Sequence, residues 1–179
     1  MALRAYSEKY LAEFVYGAID GTVTTFAIVS GVVGANLSPS IVIVLGLANV
    51  LADGFSMASS NFLSEKSEQT LRHGLLTPPE TKAPLRTAMI TFVSFVSVGF
   101  IPLLPFALAL AVPAMAKQEF FFSIVLTVIA FIGIGAVRGV VTRHRPFQSA
   151  LETLLVGSLA AGISYLVGFL LRGLAGNGL

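Results

Sequence analysis

The sequence contains no cysteine and no tryptophan, has only two histidines, and draws just 11% of its 179 residues from Asp, Glu, Lys and Arg. The absence of cysteine excludes disulfides and thiolate metal sites in any compartment. Both histidines, His73 and His144, fall outside the apolar runs, and neither H-E-x-x-H nor G-x-x-x-x-G-K-[ST] occurs. Residues for intramembrane metalloprotease chemistry or ATP-driven pumping are therefore missing, and no enzymatic activity is expected. The shortage of charge, beside 55% hydrophobic residues and a mean hydropathy of +0.88, is more than a soluble core can use.

Long apolar runs take the place of charge. Phe14 to Asn36 has Asp20 as its only charge, and Leu37 to Ser64 has only Asp53. Thr87 to Ala116, Phe120 to Val137 and Thr153 to Leu171 carry none. Each run is long enough to cross a bilayer. The expectation is an all-α membrane protein, one domain over residues 1–179, with five transmembrane helices at about 11–35, 40–64, 87–112, 120–140 and 150–172. Arg4, Glu8, Lys9 and Glu13 make the N-terminus too charged for the centre of a signal peptide, so the first helix is expected to stay.

Nine of the eleven Lys and Arg fall in the N-terminal tail (Arg4, Lys9), after the second run (Lys66, Arg72, Lys82, Arg86) and after the fourth (Arg138, Arg143, Arg145). Only Lys117 and Arg172 fall opposite. The positive-inside rule places the N-terminus in the cytosol and the C-terminus across the membrane. Basic residues confined to membrane boundaries do not form a nucleic-acid surface, so no nucleic-acid partner is expected.

The candidate site is the polar lining of the first two helices. Glu13, Gly17, Asp20 and Thr24 follow spacings of four, three and four, while Asn49, Asp53, Met57 and Asn61 recur every four residues; each set marks one helix face. A mid-membrane carboxylate costs roughly 2.5 to 3.5 kcal/mol on insertion scales, so Asp20 and Asp53 call for a reason. Counting back from Glu65 at ~1.5 Å per residue, Met57 lies ~12 Å and Asp53 ~18 Å deep, so Met57 and Asp20 can share a depth, with Asp53 deeper. Glu65 and Glu68 continue the stripe, and with Glu13 they form a cytosolic entrance. Gly17 and Gly21 make a G-x-x-x-G pair around Asp20, which admits a close neighbouring helix.

Carboxylate and amide oxygens suit hard divalent ions, and a thioether shifts preference toward softer first-row metals such as Fe²⁺. Desolvation favours the protonated form of a carboxylic acid, so one buried group can exchange metal for proton. Asp20 is the candidate for that coupling. A methionine on a membrane helix is by itself an adaptable core filler. Only the register of Met57 with Asp53 and Asn61 raises it to a candidate ligand.

These residues also carry a family resemblance. Asp20-Gly21-Thr22-Val23-Thr24-Thr25 with Ser30-Gly31-Val32-Val33-Gly34-Ala35 resembles the first-helix signature of the vacuolar iron transporter family. Ala52-Asp53-Gly54-Phe55-Ser56-Met57 with Phe62-Leu63-Ser64 resembles its second, and Pro102-Leu103-Leu104-Pro105 is similar to its third span. The resemblance implies a homodimer that moves Fe²⁺, and often Mn²⁺, out of the cytosol against protons. It implies that Asp20 and Met57 line the pathway near the dimer interface. The metal is then cargo, and no resident cofactor is expected.

Two departures concern how metal is gathered. Asn61 stands where many members of that family carry Glu, and the 65–86 connection is too short for the Glu- and Met-rich cytosolic domain of the eukaryotic vacuolar type. Small size and the missing domain favour a bacterial inner membrane over a vacuolar or other organelle membrane. The expected partners are divalent metal ions, protons, membrane lipid and a second copy. A passive divalent-cation channel and a non-transporting membrane scaffold with paired structural Asp residues are the competing readings. Elsewhere, a kink is expected near Pro102 with helix termination before Pro113, and Glu152 is expected to pair with Arg138 or Arg145.

Overall fold

A computed structural model of the protein describes residues 2–72, 82–112 and 117–176, with side chains described for 9–72, 82–112 and 117–174. His73, Glu80 and Pro113 lie outside the described residues. The described chain is helical: α1 (Ala2–Gly34), α2 (Pro39–Arg72), α3 (Pro84–Gly99), a 3₁₀ turn (Ile101–Leu103), α4 (Leu104–Ala111), α5 (Glu119–Val141) and α6 (Pro146–Gly176). Five stretches are long and apolar enough to cross a membrane, with α3, the turn and α4 together forming the third. In lipid only helices or closed barrels satisfy every backbone group internally, so the apolar runs fold as helices.

The helices overrun the apolar runs at one end of the bundle. α1 starts at Ala2 rather than near 11, and α2 continues to Arg72 rather than stopping near 64. The added turns are rich in Ala, Leu, Glu, Lys, Gln and Arg, which are strong helix formers in water. Hydropathy locates the membrane-embedded part of a helix, and propensity carries it beyond.

α1 is the axis of the fold, packed against α2, α3, α5 and α6. Its apolar stretch is 56% buried, against 11% for α6 on the flank. Phe26, Val29 and Val32 of α1 meet Val42 and Val50 of α2, Leu103 and Phe106 of the third span, and Ala161 of α6 in the main core. Hydroxyls fill the tight contacts. Thr22 donates to Ala18 O at 2.7 Å and Thr153 to Ser149 O at 2.9 Å, so their buried protons are spent within their own helix. Ser164 of α6 donates across to Ala27 O of α1 at 2.5 Å.

The third span breaks at its prolines. Pro102 and Pro105 lack the N–H groups that Val98 and Ile101 carbonyls would accept in a continuous helix. The chain tightens into the 3₁₀ turn, and Leu104 N–H takes Ile101 O. Ser123 of α5 donates to Pro102 O at 2.7 Å, which satisfies a buried carbonyl left by the break. The regular helix ends at Ala111.

The two described hairpin turns use one device. Asn36 sits at φ 58° after α1, with Asn36 N–H on Val33 O at 3.0 Å and Leu37 N–H on Val32 O at 3.1 Å, a Schellman closure. After α5, Arg143 sits at φ 56° and His144 N–H reaches Gly139 O at 2.9 Å. Arg138 pairs with Glu152 of α6 on the exposed surface beside this turn.

Candidate metal pathway

The face of α2 that packs inward is Val42, Gly46, Val50, Gly54 and Ala58. The polar stripe Asn49, Asp53, Met57 and Asn61 lies one residue behind, about 100° around the helix. Consequently Asn49, Met57 and Asn61 are half-buried and Asp53 is exposed on the protomer. Asp20 of α1 is half-buried and within electrostatic reach of Asp53. No hydrogen bond or ion pair among the described residues takes up either carboxylate; Thr24 donates to the backbone O of Asp20 at 2.7 Å, not to its side chain.

Two carboxylates and a thioether thus lie along adjoining helices without a structural partner for the charges. Among the described residues, no group of three or more His, Asp or Glu side chains converges in one protomer to hold a metal.

Gly17 and Gly21 lie against α3, and this contact fixes the rotation of α1. A Cβ at Gly17 would stand 2.2 Å from Ser94 Oγ and 2.7 Å from Thr91 O, and one at Gly21 would stand 2.4 Å from Phe95 O. With the glycines turned to α3, Asp20 stands about 60–100° around the helix from them, within electrostatic reach of Asp53 of α2.

Asn61 is engaged by α3. Its Nδ2 donates to Thr91 Oγ1 at 2.7 Å, leaving the amide oxygen as its remaining acceptor. This link was not legible in the stripe pattern, because spacing within α2 says nothing of which helix lies opposite.

At the end of the bundle where the basic residues gather, Glu13 is buried at 8% exposure and pairs with Lys82. Glu65 is half-buried and within electrostatic reach of Glu68, Lys82 and Glu13. Glu68 pairs with Arg72 one turn along α2. The three acids expected at the entrance therefore gather at one end, and two of them already hold a cation. In the sequence Lys82 is one of the basic residues after the second run that set the orientation; its place against Glu13 comes from the fold.

An open apolar groove of about 600 Å³ between α2 and α3, lined by Phe55, Phe62, Met89 and Phe92 among others, contains no titratable group and offers nothing to an ion.

The VIT family model matches residues 11–77 and 70–169. Vacuolar iron transporter 1 of Eucalyptus grandis is 25% identical over 214 residues, covering 88% of this chain and 84% of that protein, and vacuolar iron transporter 1 of Arabidopsis thaliana is 26% identical with the same coverage. The vacuolar iron transporter of Toxoplasma gondii is 25% identical over 235 residues, covering 97% of this chain and 78% of that protein. These alignments are longer than the 179 residues of this chain, so the relatives carry segments it lacks, and the two family matches overlap at 70–77, from the last residues of α2 onward. With five apolar helices and family matches over most of its length, this chain is an integral membrane protein and belongs to the VIT family.

Proposed function

We propose that this protein exports divalent metal, Fe²⁺ or Mn²⁺, from the cytosol in exchange for protons. The observation that carries the reading is that Asp20 and Asp53 stand within electrostatic reach of each other on adjoining helices, each inside an apolar run and without a hydrogen bond or ion pair to its carboxylate among the described residues, with Met57 one turn from Asp53. The iron transporters among its relatives support metal as cargo. Asp20 binds metal and proton in turn, Met57 supplies the soft ligand, and Asp53 with the oxygen of Asn61 ranks behind them. Glu13, Glu65 and Glu68 form the cytosolic mouth, in line with the basic residues around it.

A homodimer completes the pathway. On α2, Asp53 is exposed beside Ser56 and Ser60, on the flank away from the exposed Leu51 and Phe55. Acyl chains suit the Leu51 and Phe55 flank and penalise the Asp53 flank. The same face of a second copy brings two Asp and Met sets to one axis, supplying more ligands than one protomer holds. Purified protein in liposomes tests the reading by Mn²⁺ or Fe²⁺ flux recorded together with internal pH. Flux without proton movement identifies a passive channel, and no metal-dependent flux identifies a scaffold.

A further inference from the structure

The mouth of the pathway already contains a cation belonging to the protein. Lys82 and Ala83 form the extended link ahead of α3, and both neighbouring helices pin it. Gln69 of α2 donates to Lys82 O at 2.8 Å, and Ala83 N–H donates to Tyr10 OH of α1 at 3.4 Å. Held there, Lys82 Nζ reaches Glu13 Oε1. The second oxygen, Glu13 Oε2, is buried and receives no hydrogen bond among the described residues. Glu65 lies within electrostatic reach of both Lys82 and Glu13.

The Lys82 ammonium thus pairs with Glu13, within electrostatic reach of Glu65, and leaves one buried Glu13 oxygen unused, while Glu68 and Arg72 also act on Glu65 from α2. A carboxylate oxygen buried without a donor is costly, so the arrangement is incomplete as a purely structural ion pair. A divalent ion would neutralise both acids and bind by oxygen alone, the preference of hard cations. A tethered ammonium competes with it as an intramolecular ligand at high effective concentration.

We propose that Lys82 is a built-in competitor at this mouth: its ammonium occupies the Glu13–Glu65 site until a divalent metal displaces it, and so sets the metal concentration at which loading begins. The inference rests on the metal-transport reading and adds a specificity-determining residue to it. Monovalent cations gain nothing by exchanging with an ammonium of equal charge that is already in place. A divalent ion does gain.

The test is Mn²⁺ binding to purified full-length protein, followed by the spin-resonance signal of free Mn²⁺, with liposome uptake beside it. Lys82→Met and the more polar Lys82→Gln should bind Mn²⁺ tighter by roughly tenfold, within the range usual for coupled sites, and should half-saturate uptake at correspondingly lower metal. Lys66→Met removes a positive charge from the same end of the bundle without touching Glu13 and should leave both values unchanged. Adding Glu13→Gln to Lys82→Gln should erase the gain. If either Lys82 variant that retains the wild-type melting profile binds Mn²⁺ no tighter than wild type, or if Lys66→Met produces the same gain, the proposal is overturned. Loss of uptake by the wild-type protein with the Lys82-dependent binding change intact would overturn the transport reading alone.

Discussion

Asn61 of α2 donates its amide to Thr91 Oγ1 of α3 at 2.7 Å, and Thr91 spends its own proton on Thr87 O at 3.0 Å. A hydroxyl has one proton, so Thr91 can only accept from Asn61, and the amide orientation follows from the network. Thr91→Val leaves the Asn61 nitrogen unpaired between two helices. The expected cost is about 1 kcal/mol, the usual size of an interhelical hydrogen bond in a membrane protein. Thermal denaturation in detergent measures it, and an unchanged melting profile would show the bond to be dispensable.

The approach of α1 to α3 leaves no room for a side chain at Gly21. Gly21→Ala places Cβ 2.4 Å from Phe95 O, a backbone atom that moves only if the helix moves. Overpacking of this kind costs roughly 1–3 kcal/mol. Gly133→Ala is the matched control, since nothing lies within 4 Å of its Cβ position and alanine is the better helix former. Melting temperatures should fall for the first and hold or rise for the second.

Arg143 occupies left-handed backbone at φ 56° at the turn between α5 and α6. A residue with a side chain is disfavoured there by roughly 1–2 kcal/mol, and glycine is not. Arg143→Gly should therefore raise the melting temperature, less one exposed positive charge. A lowered melting temperature would mean that the charge, not the backbone, governs this turn.

Much of this architecture could be read from the sequence, and particular residues show where that reading stopped. The five spans and the break at Pro102 followed from runs with one charge or none and from the missing proline N–H groups. The pairing of Glu152 with Arg138 was one of two options expected from proximity in the chain. Helix ends beyond the apolar runs were missed because hydropathy reports the membrane, not the helix. The stripe 49–53–57–61 was visible as a period, yet a period does not fix rotation: Val50, Gly54 and Ala58 pack inward, and this turns Asp53 to the exposed side. Lys82 against Glu13 joins residues far apart in the chain, so no local pattern encodes it.

Met57 tests the softness of the site. Met57→Leu keeps volume and apolar character while removing the sulfur, so packing should be retained. Competition uptake should show Fe²⁺ and Co²⁺ losing ground to Mn²⁺, because soft donors favour the later metals. An unchanged order of metals would make Met57 a packing residue only.

The most direct test of the central claim is Asp20→Asn in liposomes, with metal flux and internal pH followed together. Asparagine keeps the shape and removes the charge and the titrating proton. The account predicts that the wild-type protein couples Fe²⁺ or Mn²⁺ flux to proton counterflow and that Asp20→Asn, with an intact melting profile, carries neither. Wild-type rates of proton-coupled metal flux in Asp20→Asn would contradict it.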